Sequence, residues 1–253
     1  MLLGLGDNAT HGLGTPSAHT YFQRLVINPP DEFADMRGIC LSKVLPKLQQ
    51  LNLAKSGTSS INCVDQQLPL LKPYSPDTFG IVVITIGNND LIHDFGRTPP
   101  RDGALFGTKI TNTSGLVKNF ERRLEAIHAR INTTFPGGYQ IYIANIPDLV
   151  DGEDDIERTG LPPWPEWQYL LASYNRTISL FAKHNPHVTW VDIRTGFLGH
   201  GIHCTHFWHP RYHEDDPHSW FLNDIEGPNH RGHDAIRRRF LLEMANELPD
   251  RLP

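Results

Sequence analysis

Long apolar runs are missing from these 253 residues, and so is any excess of basic ones. No uninterrupted apolar stretch approaches the ~20 residues that a membrane-spanning helix requires. No charged leader followed by an apolar core is visible at the amino terminus. The expectation is a soluble chain with no membrane partner and no visible signal peptide, its compartment left open. Lys and Arg number 23 against 28 Asp and Glu, for a net charge of -5. That balance lacks the basic footprint of a nucleic-acid partner. Cysteine is scarce. Cys40, Cys63 and Cys204 are odd in number and widely spaced, so they form neither a metal motif nor a disulfide framework. One bridge and three buried thiols remain as alternatives. No internal repeat or low-complexity tract occurs. The sequons at Asn8, Asn112, Asn132 and Asn175 are too short a pattern to assign a compartment.

What is present is an ordinary globular composition, 39% hydrophobic and 20% charged, at a length that fits one α/β domain, residues 1–253. Met1 to Leu5 reads as a strand that breaks at Gly6-Asp7. Helical spacing covers Ala18 to Val26 and Leu41 to Leu51. A short second strand over 51–54 runs into Lys55-Ser56-Gly57, with Ser59 or Ser60 as the cap of a helix to about Leu71. Phe79 to Ile86 is continuously apolar and β-branched, as a strand covered on both faces should be. A long polar loop follows over 92–112. Leu116 to Ile131 has one apolar helical face, and Tyr139 to Ala144 is a strand. Glu166 to Lys183 reads as a helix, His187 to Ile193 as the last strand and Asp234 to Leu248 as the last helix. Strands alternate with helices throughout, which argues for a parallel sheet with helices on both faces. The segment 194–223 stands apart as an irregular insertion. It holds His200, His203, His206, His209, His213 and His218, out of 14 histidines in all, together with Trp208, Tyr212 and Trp220.

Strand ends are where an open parallel sheet keeps its chemistry, and four of these boundaries carry polar, glycine-bearing blocks. They are Gly6-Asp7-Asn8, Gly57 after the short second strand, Gly87-Asn88-Asn89-Asp90, and Asp224 to His233. In this order and spacing they resemble the blocks of the SGNH, or GDSL, hydrolase family, and they span the whole chain. The resemblance implies a three-layer α/β/α sandwich with a five-strand parallel sheet, flavodoxin-like in strand order. It also implies acyl-ester chemistry. In that family a serine in the first block attacks, a histidine takes its proton and an aspartate orients the histidine. Backbone N–H groups and the third-block asparagine stabilise the oxyanion. Carried onto this chain, the oxyanion donors are the N–H of Asn8, the N–H of Gly57 and the amide of Asn89.

The proton-transfer parts depart from the family. Asn8 stands at the nucleophile position, and an amide nitrogen is not nucleophilic at neutral pH. The histidine expected three residues after Asp224 is Gly227, in a register fixed by Pro228-Asn229. The candidate catalytic set is therefore Asn8, Asp224 and, as a substitute base, His230, with Thr10 and His11 as nearby polar neighbours. The acidic set Asp7, Asp90, Asp224 and Glu226 suits a carboxylate glycosidase, or else braces its loops. Trp208, His209 and Trp220 are candidate substrate contacts, supported by Trp164 and Trp167 from the preceding crossover. His203, His206 and His209 repeat at three-residue spacing, but they match no zinc signature, and no metal is assigned. No cofactor is implied. The leading expectation is an SGNH-type hydrolase acting on an ester of a carbohydrate or another small acylated substrate. The alternatives are a non-catalytic chain that binds a glycan or acyl ligand and a carboxylate-based glycosidase. The oligomeric state is left open.

Overall fold

A computed structural model describes residues 1–93, 105–223 and 226–252, apart from the side chain of Asn112. Five strands form one sheet: β1 (Leu2–Gly6), β2 (Gln50–Asn52), β3 (Gly80–Thr85), β4 (Tyr139–Ala144) and β5 (Val188–Val191). They are all parallel and lie in the order β2-β1-β3-β4-β5. This is the expected flavodoxin-like order. Every residue of β1, β3 and β4 is buried, because both faces of the sheet are covered.

The helices are α1 (Asn8–His11), α2 (Tyr21–Val26), α3 (Leu41–Val44), α4 (Ser60–Asn62), α5 (Asn88–Leu91), α6 (Ser114–Thr134), α7 (Trp167–His184), α8 (Arg194–Phe197) and α9 (His230–Glu247). Helix α6 buries Phe120, Leu124, Ile127 and Ile131, a three-and-four spacing that sets one stripe against the core. It packs on α7, while α9 packs on α2 and on β4 and β5. Burying each side chain of this size stabilises the fold by roughly 1.5–3 kcal/mol.

Three boundaries differ from the sequence reading. The apolar spacing over 41–51 yields only the four residues of α3 before β2 begins. Pro46 lacks an N–H and cannot continue the helix. Helix α2 starts at Tyr21 rather than Ala18, because Thr20 Oγ1 accepts from the Gln23 N–H at 3.2 Å and caps it there. Helix α9 starts at His230 rather than Asp234. Asn229 Oδ1 accepts from the N–H groups of Arg231 at 2.9 Å and Gly232 at 3.1 Å, so a short polar side chain satisfies the free donors of the first turn. The expected loop over 92–112 falls partly outside the described residues.

Register places the site. Gly6 pairs with Thr85, and Thr85 with Ala144, so three strands end level. After β1 the chain moves outward to β2, and then crosses to β3 on the other side. The residues that follow these ends meet at that switch point. Gly6 is required there. Its φ is +114°, and a Cβ would collide with the Thr85 carbonyl oxygen.

Candidate active-site crevice

The turn out of β1 sets Asp7 and Asn8 on the crevice floor. Asp7 Oδ1 accepts from the Ala9 N–H at 3.3 Å and caps α1. It also accepts from Thr85 Oγ1 at 2.7 Å. Burial pushes its carboxyl up to about 7, and the Thr85 hydrogen bond opposes that rise. Thr10 is fully buried, and its hydroxyl bonds Thr85 Oγ1 at 2.7 Å and the Tyr21 hydroxyl at 2.5 Å. It therefore faces the core and not a ligand. His11 is exposed, with Nδ1 donating to the Ala54 carbonyl at 3.1 Å.

The side chain of Asn8 lies where three donors converge. Its Oδ1 accepts from the Gly57 N–H at 2.6 Å, from Ser56 Oγ at 3.3 Å and from Asn89 Nδ2 at 3.4 Å. Its Nδ2 donates to the Glu226 carbonyl at 2.6 Å. Asn89 Nδ2 is steadied by the Thr58 carbonyl at 3.2 Å. Gly57 presents its N–H from a backbone with φ +74°, where no atom crowds a Cβ, so conformation rather than space favours glycine there. Gly57 and Asn89 thus aim at one oxygen position, the first at 2.6 Å and the second at 3.4 Å. Here that position holds a neutral oxygen of the chain itself. Sequence reasoning missed Ser56 as the third donor, although its place beside Gly57 was the available signal.

Gly227 lies against Asn8. A Cβ on Gly227 would stand 3.7 Å from Asn8 Cβ and 3.9 Å from Leu222 Cδ1, in ordinary contact. A side chain at the position that carries histidine in the family resemblance would therefore grow directly beside Asn8. Asp224 lies outside the described residues.

His230 is not brought to Asn8, which corrects its expected role as a substitute base. Its Nε2 accepts from Arg24 Nη2 at 2.6 Å, and its ring packs on His19 at 4.8 Å and Phe33 at 5.5 Å. The early start of α9 places it in the first turn, on the side that meets α2. Burial and then the Arg24 charge lower its pKa. His233 is wholly buried, with Nδ1 accepting from the Tyr21 N–H at 3.1 Å. Burial lowers its pKa to about 3, so it is a neutral core histidine.

Two carboxylates of the glycosidase alternative, Asp7 and Asp90, are held by the frame. Asp90 accepts from the Ser60 N–H at 2.7 Å and from the Ser60 hydroxyl, with Arg123 Nη1 at 3.8 Å. Asp7 is engaged as described above. Among the described residues, no three His, Cys, Asp or Glu side chains form a group that could hold a metal ion. All three cysteines are free and buried.

The insertion is pinned by Asp151, which accepts from the N–H groups of Gly199 at 2.7 Å, Gly201 at 2.8 Å and His203 at 3.0 Å. His209 Nε2 meets Glu153 at 3.2 Å. Trp220 is stacked on His200 at 3.7 Å and donates to Asp216 at 3.0 Å. Trp208 is 70% exposed. Trp164 and Trp167 are core residues instead of ligand contacts, donating to the Thr108 carbonyl at 3.2 Å and to Asp148 at 3.4 Å. Beside Asn8 lies a small, largely apolar pocket, lined by Ile146, Leu149, Phe197, Phe221 and Gly227 among others.

No protein-family model matches this chain, and no curated protein does. Solved structures do. The chain is similar to phospholipase A1 from Streptomyces albidoflavus NA297, at 16% identity over 97% of this chain and 98% of that one, with a TM-score of 0.56. A member of the lipolytic protein G-D-S-L family from Veillonella parvula DSM 2008 matches at 12% identity over 97% and 98% of the two chains, with a TM-score of 0.55. An acetylxylan esterase from Geobacillus stearothermophilus matches at 16% identity over 96% and 93%, with a TM-score of 0.53. No helix among the described residues is long and apolar enough to cross a membrane.

Proposed function

We propose that this chain, which has the fold of the GDSL lipolytic enzymes, is a hydrolase of acyl esters. Its substrate is an ester of a carbohydrate or another small acylated compound. The observation that carries this reading is the convergence of Gly57 N–H and Asn89 Nδ2 on one oxygen position. An ester carbonyl oxygen takes that position when the Asn8 side chain swings aside, and the apolar pocket next to it receives the acyl group. The donors then bond an oxygen that gains negative charge in the transition state, where they are worth more than to a neutral amide. Asn8 has no hydroxyl, so the attacking oxygen is that of water. Water adds to the carbonyl carbon, the bond to the alkoxy oxygen breaks, and the water proton leaves with the alcohol.

A second reading, a non-catalytic binder of a glycan or acyl ligand, is favoured by one observation. Asn8 places its own oxygen where the donors aim, and Gly227 sets no side chain beside it.

Hydrolysis of p-nitrophenyl acetate separates the two. The hydrolase reading expects turnover by the unmodified chain, falling ~10²–10³-fold in Asn89→Ala, as for the loss of one oxyanion donor. Silence in the unmodified chain, with activity appearing in Asn8→Ser/Gly227→His, overturns it in favour of the binder.

A further inference from the structure

A second pocket shares a wall with the crevice. Its volume is ≈ 370 Å³, and α8, α9 and the insertion line it, with Phe197, His200, His213, Trp220 and Arg239 among their residues. Ile193 and Phe197 line both this pocket and the one beside Asn8. Asn8, Gly57 and Asn89 take no part in it.

Three of its side chains carry nitrogens that the fold leaves without partners. His200 is 4% exposed, and its Nδ1 donates to the His218 carbonyl at 3.1 Å. Burial lowers its pKa, so the ring is neutral and Nε2 carries a lone pair. That nitrogen has no partner among the described residues and is not sealed in the core. The ring is fixed between Trp220, at 3.7 Å and 5° between planes, and His213, at 4.7 Å and 6°. His213 donates Nε2–H to the Leu198 carbonyl at 3.1 Å, and its Nδ1 is without a partner among the described residues. Arg239 is exposed and forms no hydrogen bond or ion pair among the described residues. Its Nε and Nη2 stand 3.4 and 3.5 Å from the place of a Cβ on Gly196, so the guanidinium lies against the backbone of α8 at the pocket. Asp192 and Glu243 feel its charge without pairing with it, and Asp192 is held instead by Asn145 at 2.8 Å and the Thr195 N–H at 3.0 Å. Arg238, which also lines the pocket, is paired with Asp35 and Asp234.

We propose that this pocket binds a small hydroxylated oxyanion, a compound with a carboxylate or phosphate beside aliphatic hydroxyls. The Arg239 guanidinium donates to the charged oxygens in charge-assisted bonds. The lone pair of His200 Nε2 accepts from a hydroxyl, and His213 Nδ1 is a second contact for the hydroxylated part. The carbon chain rests on Ile193 and Phe197. Other ligand classes leave a group unmatched. A wholly apolar ligand would bury Nε2 with no donor, at the cost of an unmade hydrogen bond. A cation would face Arg239, and a neutral sugar would leave the guanidinium to water. The volume lies within the range of small-molecule sites, about 300–1,000 Å³. The site stands apart from the ester reading, because none of its polar groups belongs to the set around Asn8.

Calorimetric titration of the full chain with glycerol phosphate, gluconate and glucose tests the proposal. At least one of the two oxyanions should bind, and glucose should not. The pair separates phosphate from carboxylate recognition. Affinity should fall ~10-fold or more in Arg239→Gln, the loss expected for a hydrogen bond to a charged group. Arg176→Gln on α7 removes the same charge elsewhere and should leave affinity unchanged. His200→Phe keeps a ring to stack on Trp220, removes both nitrogens and should weaken binding as well. Arg239 bonds nothing within the chain, so Arg239→Gln should unfold at the temperature of the unmodified chain, and its result stands if His200→Phe does not fold. The proposal is overturned by no binding of either oxyanion, by equal affinity for glucose, by binding that Arg239→Gln leaves unchanged, or by binding that Arg176→Gln weakens equally.

Discussion

Two buried groups near the crevice, Asp7 and His233, shift in opposite directions for the same reason: burial disfavours the charged form of each. Asp7 moves from 3.8 to about 7. From about pH 4 to about 7 the unfolded chain therefore holds fewer protons at this site than the native chain. The contribution of Asp7 is full below its unfolded pKa and is lost as pH rises through its folded one. His233 moves from 6.5 to about 3. Its contribution is full above its unfolded pKa and is lost as pH falls toward its folded one. Over about pH 4 to 6.5 the two slopes oppose, so urea-denaturation stability of the unmodified chain should be nearly flat there from this pair. Asp7→Asn keeps the acceptor for Thr85 and should leave stability rising with pH. His233→Gln keeps an acceptor for Tyr21 and should leave it falling. Each slope should reach on the order of several kcal/mol across the window, at roughly 1.4 kcal/mol per pKa unit. Parallel curves for the two variants would reject the assignment. The sequence marked both residues by motif position, but their burial, and hence the sign of each slope, required the packed core.

At the scale of elements, the insertion depends on one side chain at the end of the β4 crossover. Asp151 is 1% exposed, has φ 55°, and gathers three backbone N–H groups from 199–203. Asp151→Ala would leave buried donors without partners, each costing about 1–3 kcal/mol, with a wholly apolar methyl in place of the carboxyl. Stability should fall by roughly 3 kcal/mol or more, with faster amide exchange over 199–203 by mass spectrometry. Asp151→Asn, which retains one carbonyl oxygen, should fall by less. Unchanged exchange in Asp151→Ala would show that the clamp does not hold the insertion. Nothing in the sequence singled out Asp151. Its partners lie about fifty positions away, and only the fold brings them together. By contrast, β3 and β4 were legible because both faces of a central parallel strand are buried, and continuous apolar runs such as Ile81-Val82-Val83-Ile84 have few other uses. Helix α3 was over-read because apolar spacing continues past Pro46 into β2.

At the scale of the whole molecule, the first third of the chain is locked to its last helix by buried charge. Arg24 and Arg237 are fully buried, and Glu32 is 2% exposed. Arg237 Nη1 meets Glu32 Oε2 at 3.0 Å, Arg24 Nε lies 3.8 Å from the same oxygen, and both arginines reach Asp234. Removing one carboxylate leaves buried guanidinium charge uncompensated, which costs about 3–5 kcal/mol. Glu32→Ala should therefore lower the unfolding free energy by that amount, seen as a lower urea midpoint at unchanged m, without changing the far-ultraviolet spectrum at pH 7. A midpoint within error of the unmodified chain would mean that water reaches the cluster. The same cluster holds His230, whose ring is bonded to Arg24 and turned to the α2 side.

By itself the sequence determined the order of strands and helices, the four polar blocks at strand ends, and the absence of a hydroxyl at Asn8 and of an imidazole at Gly227. These are local properties, written in hydrophobic period, turn chemistry and residue identity. Only the tertiary structure decided that the oxygen of Asn8 occupies the position aimed at by Gly57 and Asn89, that His230 belongs to Arg24, and that Trp208 stays open while Trp220 is covered. Each of these depends on where a side chain points after elements far apart in sequence have packed. The direction of a side chain is set by the partners it finds across the fold, and residue order does not record them.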